Sequence, residues 1–308
     1  MKKCIVVLGM HRSGTSALTG VLDICDIKLG NNIMGESEFN AKGHFENLEI
    51  VNFNEKLLEE LNSTWYSPNG VNEELYKELL NNTHLINKAK TLIIQEFGDN
   101  ELIAIKDPRM CFLFDFWEKV LTELNYEIDA ILLYREPLDI AKSLERRDYF
   151  EYDYSILLWL KYAIYAEKLS RNHKRIFLSY NQLLNDPESV LKMILENFNI
   201  DDENIDKKSL LNFVDKKLQN SQSDTLNDIK LISYIKKCIK LYKEIIENGY
   251  KEEFKKDFDE IFDDFNITSK SYFNSIIKTI HYNEFNKEIK DKKLHRKIKN
   301  FLKRNSGK

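Results

Sequence analysis

The chain contains few of the residues that break regular secondary structure. Its 308 residues include 4 prolines and 10 glycines. Six of these glycines lie within the first 43 residues, so backbone that needs unusual torsion angles or a close approach to a ligand is concentrated near the N-terminus. We expect the rest of the chain to be rich in helix.

Cysteine is also scarce, and the 4 cysteines are scattered along the chain without a C-x-x-C pair or a neighbouring histidine cluster. This spacing argues against a disulfide framework and against a cysteine-based metal site. We therefore predict buried, reduced thiols at Cys4, Cys25, Cys111 and Cys238.

No run of 18 apolar residues occurs, which argues against a membrane-spanning helix. The apolar run that follows Lys2 and Lys3 is too short for a signal peptide and ends in a polar loop. These features predict a soluble, cytoplasmic protein.

The formal net charge is negative over most of the chain and positive at its end. Residues 287–308 carry ten lysines and arginines against two acids, within a chain whose formal net charge is −4. The body therefore lacks the basic surface typical of nucleic-acid binding. The basic segment is interpreted as an amphipathic helix that contacts an anionic membrane face, or as a solvated terminal helix.

Apolar runs alternate with amphipathic patterns up to about residue 199, which predicts an α/β fold with a parallel sheet between two helical layers. The predicted strands are Cys4–Leu8, Leu102–Ile105, Ile128–Tyr134 and Arg175–Ser179. The predicted helices that follow the first loop are 47–61, 85–97, 113–124, 138–144, 154–169 and 183–198. Beyond them only helical patterns occur, at 209–218, 229–247, 252–265 and 271–280. We predict a nucleotide-binding catalytic domain at 1–225 and a helical extension at 226–308.

The segment from Gly9 to Ser16 follows the first predicted strand and precedes a helix-compatible stretch. A glycine-spaced turn in this position directs backbone N–H groups and the positive end of a helix dipole at one anion. Its spacing is that of the nucleotide phosphate loop G-x-x-x-x-G-K-[ST], except that Thr15 replaces the lysine. Arg12 within the loop indicates that the transferred group is not a γ-phosphate.

Polar side chains follow directly on the other predicted strands, among them Lys106, Arg109, Arg135 and Tyr180. In an open parallel sheet, ligands bind beyond the carboxyl ends of the strands. Each cation alone is more typical of a surface charge, but together they indicate a phosphate or sulfate site. Arg109 and Arg146 either hold an anionic group or pair with Glu136 and Asp148.

The loop Gly9-Met10-His11-Arg12-Ser13-Gly14-Thr15-Ser16 resembles the 5′-phosphosulfate-binding loop of sulfotransferases that use 3′-phosphoadenosine 5′-phosphosulfate (PAPS). Arg135 at a strand end, with Ser143 eight residues later on the next helix, resembles the second signature of that family. The stretches 40–46, 105–109 and 178–184 are similar to the bacterial and Golgi-like branch, which has arginine in the loop. The resemblance extends over roughly residues 3 to 225.

This resemblance implies a role for each motif residue. The amides of the loop and the hydroxyls of Thr15 and Ser16 would hold the 5′-phosphate, and Arg12 would lie at the sulfuryl group. Arg135 and Ser143 would hold the 3′-phosphate. The implied cofactor-binding residues are Arg12, Ser13, Gly14, Thr15, Ser16, Arg135, Ser143 and, at the adenine, Tyr180. Ser221 resembles a late loop that closes over the 3′-phosphate, and no metal is expected.

The acceptor hydroxyl must lose a proton, so a general base is expected near the sulfur. The family supplies Glu or His from the segment after the first helix, where this chain offers Glu36, Glu38, His44, Glu46 and Glu49. We select Glu46, with His44 as second choice and Glu36 still open. The predicted catalytic set is Arg12, Glu46, Lys106 and His44.

The predicted function is transfer of a sulfuryl group from PAPS to an acceptor hydroxyl, on a saccharide or a glycolipid precursor. One alternative is a P-loop kinase or ATPase, for which Asp107 is the single obvious Mg²⁺-holding acid. The other is a non-catalytic nucleotide-binding scaffold in polysaccharide assembly.

Overall fold

A computed structural model describes residues 2–37, 43–200, 213 and 233–266. Within them, four strands form one parallel sheet in the order β2-β1-β3-β4. Their bounds are β1 (Lys2–Leu8), β2 (Leu102–Lys106), β3 (Tyr126–Tyr134) and β4 (Lys174–Ser179). All four predicted strands are confirmed, each extended by one or two residues.

The register brings the carboxyl ends of neighbouring strands together. Val7 pairs with Lys106, and Leu8 pairs with Leu132. The last pair between β3 and β4 is Tyr134 with Ser179. The connections that follow the four strands therefore leave the sheet at the same edge, where ligands bind in open α/β sheets.

Helices fill the connections. They are α1 (Thr15–Ile24), α2 (Leu48–Glu60), α3 (Glu73–Asn81), α4 (Thr83–Phe97), α5 (Met110–Glu123), α6 (Pro137–Asp148), α7 (Tyr152–Leu169), α8 (Tyr180–Asn185), α9 (Pro187–Phe198), α10 (Ser233–Asn248) and α11 (254–266). The pattern did not predict α3, which contributes only Leu79 to the buried set. Its first turn is capped instead by the Asn72 side chain, which accepts hydrogen bonds from two backbone amides.

The prediction of a single helix over 183–198 is wrong, because the structure has two helices there. Asp186 is extended, with φ −146° and ψ 72°, and Pro187 begins α9. A proline disfavours helical geometry in the residue before it but suits the first helical position. The Asp186 side chain then caps α9 by accepting from the Ser189 amide at 3.0 Å.

Side chains of the sheet alternate between two hydrophobic clusters, one on each face. Along β1, Cys4, Val6 and Leu8 point to one cluster, and Ile5 and Val7 point to the other. The first cluster includes residues of α5, α7 and α10, and the second includes residues of α1 and α9. The predicted three-layer α/β arrangement is thus confirmed.

The described C-terminal helices belong to the first of these clusters. The ring of Tyr242 on α10 stacks on Tyr134 of β3, with centroids 5.6 Å apart, and its hydroxyl donates to the Ala163 carbonyl at 2.8 Å. Lys243 pairs with Glu136 at 2.9 Å. The helical extension is therefore packed on the sheet at the point where β3 ends.

Parts of the predicted C-terminal pattern lie outside the described residues, including 271–280, the basic segment 287–308 and most of 209–218. No helix in the described part of the chain has the length and apolar composition needed to cross a bilayer.

Candidate functional site

The loop between β1 and α1 has the geometry of an anion cradle. Arg12 and Gly14 adopt positive φ angles of 71° and 95°. The loop is closed by Ser13, whose amide and hydroxyl both donate to the Met10 carbonyl, at 3.1 and 2.5 Å. Because the N-cap residue Gly14 has no side chain, no cap of its own competes for the amides in the first turn of α1.

Glycine is required at both ends of this loop by close packing. A Cβ on Gly14 would lie 2.2 Å from Cδ2 of Tyr180, so the tyrosine ring lies directly against the loop. A Cβ on Gly9 would lie 3.1 Å from the Leu133 carbonyl oxygen. Side chains at these positions would move either the loop or the ends of β3 and α8.

Four of the predicted cofactor-binding residues meet beside the loop. Arg12 Nε donates to Ser143 Oγ at 2.8 Å. Arg135 Nη1 donates to the Arg12 carbonyl at 3.0 Å, and its guanidinium lies 4.7 Å from the centre of the Tyr180 ring. The structure therefore joins the β1–α1 loop, the end of β3, α6 and α8 at one place, as the sequence predicts.

Several arginines lie close together here. Burial and the charges of Arg147 and Arg135 lower the pKa of Arg12 to about 10. Burial also lowers the pKa of Arg135. The Nε of Arg135 is buried without a hydrogen-bond partner among the described residues, 4.0 Å from Asp139 Oδ2. A buried guanidinium N–H without a hydrogen-bond partner is suited to an anionic ligand.

Lys106 at the end of β2 connects the loop to the segment that precedes α2. Its Nζ donates to Ser16 Oγ at 3.0 Å, to the His44 carbonyl at 2.9 Å and to Glu46 Oε1 at 2.6 Å. Both side chains of the ion pair are buried, with 2% and 9% of the Lys106 and Glu46 side chains exposed. Three predicted catalytic residues, Lys106, Glu46 and His44, are therefore neighbours.

The other base candidates lie farther out. Glu36 and Glu49 are exposed, and Glu38 lies outside the described residues. His44 Nε2 lies 2.9 Å from Ser37 Oγ. Burial lowers the pKa of His44; Glu46 opposes this effect and Lys106 adds to it. Ser221 is also outside the described residues.

Arg109 has neither of the partners proposed for it. Its guanidinium donates to Asp107 Oδ1 at 2.8 Å and to Glu55 Oε1 at 2.7 Å. Burial would lower the pKa of Arg109, but Asp107 and Glu55 outweigh it and raise that pKa. Glu136 pairs instead with Lys243, and Asp148 with Arg147. Arg109 is thus an internal counter-ion of two carboxylates.

Two side chains at the loop were not predicted as site residues, His11 within it and Trp65 in the connection between α2 and α3. The ring of His11 packs on Trp65, with centroids 4.5 Å apart, and meets the edge of Tyr162 at 6.0 Å. The guanidinium of Arg147 lies over the Trp65 ring, 5.4 Å from its centre. The position of His11 inside the loop could have identified it as a site residue from the sequence. Trp65 lies in an irregular connection without periodicity, so no pattern marked it.

In the ranges that the structure describes, no three His, Cys, Asp or Glu side chains are grouped closely enough to hold a metal ion. The side chains in contact with the loop include the cations Arg135 and Lys106 and the hydroxyl of Ser143, groups that commonly bind anions.

Comparison with known proteins finds similarity only in solved structures. No protein-family model matches the chain. No curated protein matches its sequence.

Similar solved structures include three sulfotransferases. A sulfotransferase domain from the curacin biosynthetic pathway is 17% identical, with a TM-score of 0.39, over 73% of this chain and 79% of that one. A sulfotransferase domain of the Synechococcus PCC 7002 olefin synthase is 16% identical, with a TM-score of 0.42, over 85% and 94%. Sulfotransferase STF1 from Mycobacterium tuberculosis H37Rv is 13% identical, with a TM-score of 0.42, over 81% and 77%. Similarity at this level carries no argument about the reaction, which must be argued from the residues of this chain.

Proposed function

We propose that this chain is a sulfotransferase that moves a sulfuryl group from PAPS to an acceptor hydroxyl. The observation that carries the proposal is the hydrogen-bonded group of Arg12, Ser143 and Arg135 beside a glycine-spaced loop. A nucleotide with two separated phosphates needs two neighbouring anion subsites, and this arrangement fits that requirement. When bound, PAPS supplies the sulfuryl group and a nucleotide phosphate as the leaving group.

In this proposal the loop and the first turn of α1 hold the 5′-phosphate with backbone amides and the hydroxyls of Thr15 and Ser16. The open Nε of Arg135 and the hydroxyl of Ser143 hold the 3′-phosphate. Tyr180, whose ring lies between Gly14 and the guanidinium of Arg135, borders the nucleoside.

Arg12 and Lys106 stabilise the charge that develops on the oxygen between sulfur and phosphorus. Fixed cations in a site without bulk water stabilise such charge more in the transition state than in the ground state. Lys106 reaches Ser16 on the loop with the same Nζ that holds Glu46, so it is positioned beside the 5′-phosphate subsite.

The acceptor is proposed to be a hydroxyl compound, a saccharide or a glycolipid precursor. Glu46 is the predicted base, with His44 and Glu36 as alternatives. Because Glu46 is ion-paired with Lys106 at 2.6 Å, it accepts a proton only after Lys106 turns toward the donor nucleotide.

The kinase alternative loses support from Asp107. This carboxylate has no exposed surface, and its oxygens accept from Arg109 at 2.8 Å and from Asn54 at 2.8 Å. A carboxylate held in this way is poorly placed to coordinate Mg²⁺ beside a loop that lacks the phosphate-binding lysine.

A thermal-shift measurement separates these functions. Adenosine 3′,5′-bisphosphate should raise the melting temperature of the full chain, because ligands of the native state stabilise it by mass action. A larger shift with ATP and Mg²⁺ would instead favour the kinase or ATPase.

Replacing Arg12 tests the mechanism. Arg12→Ala should lower the turnover number with PAPS by roughly 10²–10³-fold, which is typical for removing one donor to a developing oxyanion. Lys192→Ala, on the exposed face of α9, is the control and should leave turnover unchanged. An Arg12→Ala variant with normal turnover and normal bisphosphate affinity would refute the mechanism. A wild-type chain that binds the bisphosphate but transfers no sulfuryl group would favour the non-catalytic nucleotide-binding scaffold.

We also propose a cytoplasmic enzyme whose segment 287–308 contacts an anionic membrane face. The basis is its ten lysines and arginines against two acids. Deleting 287–308 should abolish sedimentation with vesicles that contain anionic lipid, and unchanged sedimentation would end the proposal.

A further inference from the structure

His11 is the one histidine of the phosphate loop and directly precedes Arg12, which donates to Ser143. The imidazole packs on Trp65 of the connection after α2 and meets the edge of Tyr162 on α7. These two aromatic contacts fix the ring plane beside the loop. The packing of the fold therefore determines the direction in which Nε2 points.

The Nε2 atom of His11 is buried and has no hydrogen-bond partner among the described residues. An unsatisfied buried polar atom costs roughly 1–3 kcal/mol, so such atoms in native proteins are commonly completed by a ligand or water. The loop around it is the proposed donor site, which makes a substrate group the natural partner.

The charged groups that lower the pKa of the ring are all cations. Arg12 lies on the same loop, Lys106 is the last residue of β2, Arg109 lies between β2 and α5, and Arg147 lies on α6. The connection after α2 and α7 contribute the uncharged rings of Trp65 and Tyr162. The carboxylates nearby are each held by one of these cations, in the pairs Glu46–Lys106, Asp107–Arg109 and Asp148–Arg147.

Burial, followed by the charges of Arg109, Arg147, Lys106 and Arg12, holds the pKa of His11 well below its usual range. The ring is therefore neutral at pH 7. A neutral imidazole with its proton on Nδ1 presents a lone pair at Nε2, which accepts a hydrogen bond from a hydroxyl.

We propose that His11 Nε2 takes the proton of the acceptor hydroxyl, which makes His11 a catalytic residue of the reaction under "Proposed function", on which this inference rests. The acceptor oxygen forms its bond to sulfur, and its proton passes to Nε2. The bond between sulfur and the phosphate oxygen breaks, and its electron pair stays on adenosine 3′,5′-bisphosphate, opposite Arg12 and Lys106. In this assignment His11 replaces Glu46 as the base, and Glu46 is a positioning residue that holds Lys106.

The order of binding follows from the charges. Burial lowers the pKa of His11 most, and four cations add to this effect. A bound phosphosulfate group offsets the charge of these cations, so we expect His11 to be a stronger base with the donor nucleotide bound than without it. An acceptor that arrives first meets a weak base and no electrophile.

Two substitutions on the full chain test this assignment. The rate measured is release of sulfate from PAPS, with water as the hydroxyl compound. His11→Gln should lower it by roughly 10²-fold or more, in line with loss of a general base, with an unchanged KM for PAPS. The matched control is His173→Gln, which should keep the rate; the His173 ring nitrogen lies 2.9 Å from Glu118 of α5. If Glu46→Gln loses the rate while His11→Gln stays within threefold of wild type, the assignment is wrong.

A nuclear magnetic resonance titration of the imidazole supplies a readout that does not depend on turnover. The His11 ring signals, identified by their loss in His11→Gln, should titrate at low pH in the free protein and at higher pH with adenosine 3′,5′-bisphosphate bound. A pKa of His11 that is the same with and without the bisphosphate overturns the proposal, whatever the rate of sulfate release.

The binding of the bisphosphate separates two kinds of failure. A wild-type chain that does not bind it refutes the proposed function and this inference together. A chain that binds it, with His11→Gln as active as wild type, refutes only the role of His11.

Discussion

At the scale of single residues, the cations near the sheet edge divide into two groups. Arg109 makes hydrogen-bonded ion pairs with Asp107 and Glu55. Arg12 donates instead to a hydroxyl, and Arg135 donates to a carbonyl, lies near an aromatic ring and has its Nε 4.0 Å from Asp139. The sequence does not distinguish these two groups, because the arginines of both groups follow strands. The difference arises from Glu55 on α2, which contacts Arg109 only in the folded chain.

The internal role of Arg109 predicts a stability effect rather than a binding effect. Arg109→Gln should cost roughly 3–5 kcal/mol in the free energy of unfolding, because it leaves the fully buried Asp107 carboxylate without its cation. Urea unfolding measures the change. Adding Asp107→Asn to Arg109→Gln should recover part of the loss and retain bisphosphate binding. A loss of binding in this double variant at full stability would contradict the internal role.

At the scale of secondary-structure elements, α7 carries a charge inside the core. Lys161 has no exposed surface; its Nζ donates to the Ser67 carbonyl at 2.9 Å and lies 4.2 Å from the centre of the Phe112 ring. Burial lowers the pKa of Lys161 to about 7. The lysine thus ties the connection after α2 to α7, next to the helix turn that carries Tyr162.

This depressed pKa predicts how stability changes with pH. The pKa of lysine in the unfolded chain is about 10.4, so the unfolded chain binds more protons than the native one between about pH 7 and pH 10. The cost of burying Lys161 is therefore largest below pH 7 and fades as the pH rises toward 10. Lys161→Met should stabilise the protein in denaturant unfolding at pH 6.5 by more than at pH 9.5. Lys168→Met, at a half-exposed lysine of the same helix, is the control. An equal gain in stability for Lys161→Met at both pH values would contradict the account.

Elements were predictable where one periodicity extends over the whole segment. β1, β2 and β3 are largely buried and contain long apolar runs, so their positions agree with the structure. In β4 only Ile176 and Leu178 are buried, and this alternation with half-buried neighbours also marks a strand. The break at Pro187 was missed because the apolar spacing of α8 continues in phase into α9. The ion pair of Lys106 with Glu46 was only partly predictable: the strand end located Lys106, but the return of the 43–47 segment to it depends on tertiary packing.

At the scale of the whole molecule, one hydrophobic cluster connects the sheet to the last described helices. Cys238, Phe258 and Phe265 are all at most 1% exposed, within the cluster that contains Leu8 and Tyr134. Arg171 and Arg175 add polar contacts, because both pair with Glu167 and Arg171 also reaches Asp259 at 2.7 Å on α11. The division into domains at 225 and 226 remains a prediction, and the packing gives it a direct test.

A chain that ends at residue 225 should lose cooperative unfolding, because it uncovers the rings of Tyr134 and Phe177 that pack on Tyr242. A chain that ends at residue 266 retains all described core residues and should unfold in one transition. Differential scanning calorimetry measures both. Cooperative unfolding of the 1–225 chain at the melting temperature of the longer one would show an independent domain.

The central claim is that the site reads a nucleotide with two separated phosphates, and calorimetric titration tests it most directly. The wild-type chain should bind adenosine 3′,5′-bisphosphate at least ~10-fold more tightly than AMP, since one charge-assisted hydrogen bond is worth roughly 1.5–3 kcal/mol. Arg135→Met should reduce this ratio to near one while AMP affinity is retained. Equal affinity of the wild type for the two nucleotides, or no binding of the bisphosphate, would contradict the account.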